Sequence, residues 1–243
     1  MNFVTIYIVL VSFFLSGHGA IYNDTEHEWE FPIQYRLYEL EDIYIKELFD
    51  LIQNHTCLKF VENKTLSYFR PGIIFQRGVF CSSDRIGRKE NNISNVITLG
   101  PDCKQSVPYI GSLVFQALGV FPEQTRHDRD EYVTIIYENI DKDANLKYFN
   151  ISNPAITSDY DTNYDYGSTM QYSLTAFSTK LRGTIEVKTR NAYYLCLAVR
   201  TKSAVRRYYP SHRNTLQSAL EMGVLPTKKS SFLAFASCNH FEA

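Results

Sequence analysis

Residues 109–133, YIGSLVFQALGVFPEQTRHDRDEYV, are the stretch that decides how this chain folds. The part before Pro122 is apolar enough to predict a buried helix over residues 113–121, and the part after it is crowded with charges. Its single histidine, His127, lies in the charged part, and no other histidine occurs between His55 and His127. Two imidazoles one helical turn apart are a common core of a catalytic zinc site. The predicted helix therefore lacks a zinc-binding pair.

The charged part resembles the segment that follows the active-site helix in the astacin family of zinc metalloendopeptidases. The family pattern is H-E-x-x-H-x-x-G-x-x-H-E, followed by x-x-R-x-D-R-D-x-Y-V. Residues 117–119 match its middle. Its end is matched, at the family spacing, by Glu123, Arg126, Asp128, Arg129, Asp130, Tyr132 and Val133. The resemblance implies an astacin-like metzincin fold of the α+β class, with two subdomains that flank a cleft.

The zinc ligands and the general base of the family are missing in either alignment of the helix. Without a gap, the first His, the Glu and the second His align with Ser112, Leu113 and Gln116. With a three-residue deletion, Phe115 and Gln116 align with the His-Glu pair. The second alignment is favoured, because an apolar pair then precedes that position as it does in the family. Both alignments place Pro122 at the third His.

The residues at these degenerate positions cannot perform the family's chemistry. Gln116 is a neutral amide, which does not take a proton from water as a glutamate does. We therefore predict no catalytic residue, no metal ligand and no cofactor in place of the family's zinc. His127 is a lone histidine in a polar run, and we expect it to be a surface residue and not a ligand.

A second motif lies at residues 164–172, YDYGSTMQY. It resembles the family's Y-D-Y-x-S-I-M-H-Y turn, in which the methionine lies beneath the metal and the last tyrosine is a metal ligand. Met170 and Tyr172 are retained, whereas Gln171 replaces the histidine. Without an ion, we expect Met170 and Tyr172 to serve as packing and hydrogen-bonding groups. Two motifs in the family order indicate the family fold.

The charged residues after Pro122 have two interpretations at Glu123. In the family this glutamate pairs with the buried amino terminus of the mature enzyme, so the resemblance implies the same ion pair here. The alternative is an exposed carboxylate in a loop. We expect the residues that follow to form a structural salt-bridge network: Arg126, Asp128, Arg129 and Asp130.

The amino-terminal residues predict a secretory signal peptide. Residues 3–15 are almost entirely apolar, and small residues follow them. We predict a signal peptide over residues 1–19 with cleavage after Gly19, and cleavage after Ala20 is the alternative. An uncleaved anchor is disfavoured because the ~13 apolar residues fall short of the roughly 20 that span a bilayer. The mature protein is expected to be secreted.

The rest of the chain is interpreted as one peptidase-like domain. A short segment, residues 20–28, precedes a domain over residues 29–243. The resemblance to the family covers residues 29–188, and residues 189–243 diverge from it and are rich in Lys and Arg. We expect this basic tail to be a solvated surface; the alternative is a site for acidic glycans or membranes.

Five cysteines are consistent with an oxidising compartment, although spacing alone does not give their pairing. The resemblance implies two disulfide bonds, Cys57–Cys238 and Cys81–Cys103. Cys196 is then left over. In the alternative arrangement Cys57 pairs with Cys196, and Cys238 is left over.

Glycosylation is predicted at four Asn-x-Ser/Thr sequons, Asn23, Asn63, Asn92 and Asn150. A fifth sequon, Asn54, is the most doubtful, because it lies beside a predicted disulfide and a junction between helix and strand.

The hydrophobic periodicity predicts mixed sheet and helix. Alternation over residues 31–37 indicates a strand, and further strands are indicated at 58–60, 72–75 and 96–99. A helical stripe is formed by Ile45, Leu48, Phe49 and Ile52. Periodicity by itself predicts only an α+β protein, with a twisted sheet and two helices before a mostly irregular second half.

Composition bounds the function only broadly. At 243 residues and 44% hydrophobic content the chain can bury a large core. With a formal net charge of -1, we expect no nucleic-acid or membrane partner, and we expect a monomer. The favoured hypothesis is a secreted pseudoprotease whose cleft binds a peptide or protein. The alternatives are an active zinc endopeptidase whose sequence around Phe115 is a gene-model error, and a decaying copy without a selected role.

Overall fold

The computed structural model describes residues 20–23, 26–40, 43–141, 148–178 and 182–188. The strands in these ranges are β1 (Ile21–Tyr22), β2 (Ile33–Leu37), β3 (Phe60–Glu62), β4 (Ile73–Arg77), β5 (Ser82–Ser83), β6 (Asn95–Leu99), β7 (Val133–Ile135), β8 (Thr157–Ser158) and β9 (Ile185–Val187). The α-helices are α1 (Ile43–His55) and α2 (Val107–Ala117). Short 3-10 turns lie at Glu90–Asn92, Glu123–Thr125, Arg129–Glu131 and Tyr137–Asn139. The α+β prediction is confirmed.

Five strands form the main sheet in the order β3-β2-β4-β6-β5. The first four strands in this order run parallel to their neighbours. Strand β5 runs antiparallel to β6 and lies at one edge of the sheet. Among the described residues only one side of β5 is paired, because its partner β6 is its single neighbour in the sheet. The backbone N–H and C=O groups on its other side can pair with an additional extended chain.

The helices α1 and α2 share one hydrophobic core with alternate residues of these strands. The predicted stripe of α1 is confirmed, since its buried residues are Ile45, Leu48, Phe49 and Ile52. The ring of Phe49 stacks on Phe60 with centroids 4.0 Å apart and meets the edge of Tyr35 at 4.6 Å. Each such side chain contributes about 1.5–3 kcal/mol when it is fully buried. This core fixes α2 against the sheet.

The boundaries predicted for α2 were wrong: the helix covers Val107–Ala117, not residues 113–121. It begins earlier because a proline in its first turn suits a helix start. It ends earlier because Gly119 has φ +104°, a conformation that glycine adopts without strain and that no helix continues. Two carbonyl groups near the end of the helix accept hydrogen bonds. The Leu118 N–H donates to the Val114 carbonyl at 2.9 Å, and the Trp29 indole donates to the Ala117 carbonyl at 2.9 Å.

Residues beyond Pro122 form a second, smaller core that is built mainly from turns. Its buried members are Val133, Ile140, Phe149, Tyr164, Leu174 and Ile185. The only strands here are the antiparallel pairs β7–β9 and β1–β8, as far as the described residues reach. A mostly irregular second half is therefore confirmed up to residue 188, and the basic tail lies outside the described residues.

The disulfide Cys81–Cys103 is confirmed, with the two Cα atoms 6.1 Å apart. Cys57 is disulfide-bonded as well, and its predicted partner, Cys238 or Cys196, lies outside the described residues. Within the described ranges, no helix combines the length and hydropathy that crossing a bilayer requires.

Two of the predicted glycosylation sites are exposed, Asn23 and Asn150. Asn63 is half-buried, and its side-chain amide, the atom that would carry a glycan, donates to Gln34 Oε1 at 2.8 Å. The side chain of Asn92 lies outside the described set. Glycosylation remains a prediction at all four.

Candidate functional site

The candidate site lies where the end of α2 meets the turn at residues 164–172. Gln116, in the last turn of α2, is 8% exposed, and its side chain lies close enough to the Tyr172 hydroxyl to lower the pKa of that hydroxyl. Ser112, one helical turn earlier, is half-buried, and its Oγ donates back to the Tyr109 carbonyl at 2.8 Å. Tyr109 is 44% exposed and close enough to influence Tyr172 electrostatically. One side of α2 therefore faces Tyr172.

Gln124 holds the other elements of the site together. It is fully buried, its Oε1 accepts the Tyr172 N–H at 3.0 Å, and its Nε2 donates to the Tyr148 carbonyl at 3.0 Å. The backbone N–H of Glu123 donates to the Met170 carbonyl at 3.1 Å. Met170 itself is 1% exposed and belongs to the main core. The turn at 123–125 thus fixes the turn that carries Tyr172.

Aromatic rings surround Tyr172 on the side away from α2. Tyr148 and Phe177 stack with centroids 5.5 Å apart, and Tyr172 lies 6.2 Å from the first ring and 6.0 Å from the second. Burial raises the pKa of the Tyr172 hydroxyl far above its usual range, Tyr148 adds to the rise, and the nearby Gln116 amide offsets part of it. The hydroxyl is therefore neutral at physiological pH and acts as a hydrogen-bonding group.

Glu123 is fully buried, so the interpretation as an exposed loop carboxylate was wrong. Its Oε1 accepts the Asp165 N–H at 2.8 Å and lies 3.5 Å from Arg126 Nη1. Its Oε2 is buried and receives no hydrogen bond from the described residues. Burial raises the pKa of Glu123 to about 8, and the opposing effect of Arg126 does not cancel the rise, because that guanidinium is shared with other carboxylates.

The predicted salt-bridge network is confirmed around Arg126, which is 1% exposed. Its guanidinium binds both carboxylate oxygens of Asp128 at 2.9 and 2.8 Å and lies 3.4 Å from Asp159 Oδ2. It also donates to the Thr162 carbonyl at 2.7 Å. His127 lies at the rim of this network, with Nδ1 3.5 Å from Asp159. The network joins the segment after α2 to the loop that follows β8.

Arg129 forms the second part of the network and is 4% exposed. Its guanidinium donates to the backbone carbonyls of Gln124 and Phe149 at 2.8 and 2.6 Å, and to Asp130 Oδ1 at 2.7 Å. Both buried arginines therefore act as structural cross-links between turns.

The residues at the former ligand positions do not fit zinc. Zinc in proteins is held by thiolate, imidazole or carboxylate groups, three of them at least. Ser112, Gln116 and Pro122 offer a hydroxyl, an amide and no donor at all. Elsewhere in the described part of the chain, no three His, Cys, Asp or Glu residues are grouped so that they could hold a metal ion.

The structure places Gln116 and Phe115, the two residues that the gapped alignment puts at the His-Glu pair, in different surroundings. Gln116 contacts Tyr172, whereas Phe115 is 2% exposed and packs in the main core. Sequence reasoning missed Gln124 and Tyr148. Gln124 could have been suspected because it lies between Glu123 and two matched arginines, but no sequence signal marks Tyr148.

Comparisons with known proteins agree with this fold. The profile of the Astacin peptidase family matches residues 21–203. A region of 125 residues is 37% identical to zinc metalloproteinase dpy-31 of Caenorhabditis elegans, covering 51% of this chain and 20% of that protein. A longer region of 182 residues is 29% identical to zinc metalloproteinase nas-34 of the same organism, covering 73% of this chain and 29% of that protein.

A solved structure is similar as well. High choriolytic enzyme 1, a hatching enzyme zinc-protease from the medaka fish Oryzias latipes, superposes with a TM-score of 0.55 at 26% identity, over 69% of this chain and 88% of that one. The fold and the retained turns are those of a metzincin peptidase domain. This chain belongs to the astacin family. It spans about a fifth of the length of dpy-31.

Proposed function

We propose that this chain is an astacin-family protein without protease activity, whose cleft binds a peptide or protein segment instead of cleaving it. One observation carries the proposal: the residue of α2 that faces the Tyr172 hydroxyl is Gln116, a neutral amide and not an imidazole. In family enzymes the residue at Tyr172 is a metal ligand, and here its neighbour on α2 is an amide, which is not among the usual ligands of zinc.

The ungapped alignment is the one we propose, because it places Gln116 at the second histidine. In the gapped alignment Phe115 would take the place of the first histidine, yet Phe115 lies in the core. With Ser112, Gln116 and Pro122 at the three ligand positions, no residue supplies an imidazole. Gln116 also supplies no base for the activation of water.

Binding of an extended segment is supported by the edge strand and the aromatic rings. The outer side of β5 offers backbone groups that no described strand pairs, and these can pair with a peptide in the manner of an added strand. Phe177 is 42% exposed and Tyr109 is 44% exposed on the two sides of Tyr172. Aromatic rings of this kind provide apolar contact area at low entropic cost.

We also propose that the protein is secreted. The proposal rests on the predicted leader at residues 1–19 and on the Cys81–Cys103 disulfide, which is typical of oxidising compartments. Amino-terminal sequencing of protein recovered from the medium of transfected insect cells should give Ala20 as the first residue. Retention inside the cells would contradict it.

Zinc content and proteolysis, measured on the same secreted sample, test the lack of activity. We expect less than ~0.1 zinc per chain and no chelator-sensitive cleavage of a quenched fluorescent peptide library. The matched comparison is a variant that restores the family residues, S112H/L113E/Q116H/P122H, which should bind about one zinc per chain if the ungapped alignment is right. The two-histidine variant S112H/Q116H provides a check that disturbs the core less, with zinc binding at micromolar metal as its readout.

Stoichiometric zinc in the unmodified chain, with cleavage that a chelator stops, would overturn the proposal. It would favour the active enzyme and would require the helix sequence to be re-read from genomic DNA.

Peptide binding is tested separately by panning a random peptide library against the secreted protein. Selected peptides should lose affinity for Tyr148→Ala and retain it for Phe69→Ala, because Phe69 is 84% exposed in the loop between β3 and β4. Equal losses would argue against the cleft.

A further inference from the structure

A pocket separate from the Gln116–Tyr172 site lies where strands β4 and β6 end. We call it the β4–β6 pocket; its volume is about 320 Å³, within the lower range of small ligand sites. Its floor is Leu99, which is 3% exposed, and its walls come from Ile43 at the start of α1 and from Pro101. The pocket is therefore concave and largely apolar.

The walls of the pocket are held in place by close backbone packing. At Gly78 a Cβ atom would lie 2.1 Å from the Thr98 methyl carbon, and at Gly100 it would lie 2.6 Å from the Val79 carbonyl oxygen. Only glycine permits these two loops to approach so closely. The Cys81–Cys103 disulfide then joins the loop after β4 to the loop after β6. The pocket is thus pre-formed.

Exposed apolar residues follow the lining residue Gly78 in the chain. Val79 and Phe80 are 76% and 79% exposed, and their backbone lies against Gly100, between two residues of the pocket lining. Ile43 is 65% exposed on the opposite wall. Large apolar residues that cluster in this way around a concavity typically mark an interaction surface.

The polar part of the lining carries positive charge. Arg77 and Lys104 are both exposed at the pocket, and the described residues that line it include no acidic side chain. Neither cation forms an ion pair with any residue in the described part of the chain. The surface therefore combines an apolar concavity with two cations that lack a carboxylate partner among the described residues.

We infer that the β4–β6 pocket docks a segment of a partner protein in which an apolar side chain is flanked by carboxylates. The apolar side chain would fill the space above Leu99, and the carboxylates would pair with Arg77 and Lys104. A concave, pre-formed pocket favours an inserted side chain over the flat surface of a bilayer. The inference is independent of the proposed function, because it uses no residue of the Gln116–Tyr172 site.

Binding of a short synthetic peptide with two leucines between four glutamates tests this inference. The full-length secreted protein should bind it, and should bind the same peptide with lysines in place of glutamates about tenfold more weakly. The variant R77E/K104E should weaken binding of the acidic peptide about tenfold, and Phe80→Ser about fivefold. All three substituted residues are exposed, so circular dichroism should be unchanged.

The matched control is K64E/R70E, which makes the same change in charge at two exposed positions outside the pocket lining and should leave affinity unchanged. An equal loss in this control, or equal affinity for the acidic and basic peptides, would overturn the inference. So would binding to phosphatidylserine vesicles in the absence of peptide binding, since it would assign the surface to a membrane.

Discussion

Gln116 and Tyr172 face each other across the boundary between the two cores, close enough for the Gln116 amide to lower the pKa of the Tyr172 hydroxyl. The first belongs to α2, which packs on the main sheet, and the second to the turn that packs against Phe149 and Phe177. The buried Arg126 network adds to the contacts between turns on the far side of this boundary.

The interaction that we expect between Gln116 and Tyr172 should be measurable as a coupling energy. Tyr172→Phe leaves the buried Gln116 amide without this partner and should cost about 1–2 kcal/mol of the free energy of unfolding. The double variant Q116L/Y172F removes both polar groups, and should be destabilised less than the sum of the two single variants by about 1 kcal/mol. Urea denaturation with intact disulfides measures this, and additive losses would show that the two groups do not interact.

Stability should fall as the pH rises through the range in which Glu123 ionises. Burial raises the pKa of Glu123 to about 8, so the folded state favours the neutral carboxyl. The resulting stabilisation is fully present below the unfolded value of 4.5 and is lost as the pH approaches 8. In a chain that keeps residues before Ala20, Glu123→Gln should flatten this slope between pH 5 and 8, as measured by thermal unfolding. An unchanged slope would contradict the role of Glu123.

In a chain that begins at Ala20, the free amino group should reverse this dependence of stability on pH. Ala20 is fully buried and its carbonyl accepts the Phe121 N–H at 2.7 Å, two residues before Glu123. An ammonium group here would provide Glu123 Oε2 with a cation, and should stabilise the protein at pH 7 by about 2 kcal/mol over a chain with one added residue. Equal stability of the two chains at pH 7 would exclude the ion pair.

Arg126→Ala should be among the most destabilising substitutions in the described part of the chain. It removes a buried cation from Glu123, Asp128 and Asp159 and should cost about 3–5 kcal/mol. Arg85→Ala, at an exposed position, serves as the matched control and should change stability by less than about 0.5 kcal/mol. Chemical denaturation compares the two, and similar small effects would refute the structural role of the network.

The Cys81–Cys103 disulfide should contribute to stability and to the shape of the β4–β6 pocket. C81S/C103S opens a loop of 22 residues and should lower the free energy of unfolding by about 2–4 kcal/mol. Binding of the acidic peptide should weaken in parallel, while the coupling between Gln116 and Tyr172 should remain. If C81S/C103S bound the acidic peptide as tightly as the unmodified chain, the disulfide would not be needed for the shape of the pocket.

Much of the fold could be predicted from particular residues. The stripe of α1, the order of sheet and helices, the charged network and the partner of Cys81 all follow from local patterns or from motifs at fixed spacing. The boundaries of α2 could not be predicted in this way, because residues 118–121 are as apolar as the helix before them. Only the conformation of Gly119 ends the helix there.

The sequence by itself determined the family, because the family motifs depend on which side chains stand at fixed spacings. Tertiary structure decided which residues surround Tyr172, since Gln116, Gln124 and Tyr148 come together only when the two cores pack. It also decided that Glu123 is buried and that Arg77 and Lys104 share a pocket with Leu99. Burial and contacts between distant residues arise from the packing of the whole chain, and local sequence does not encode them.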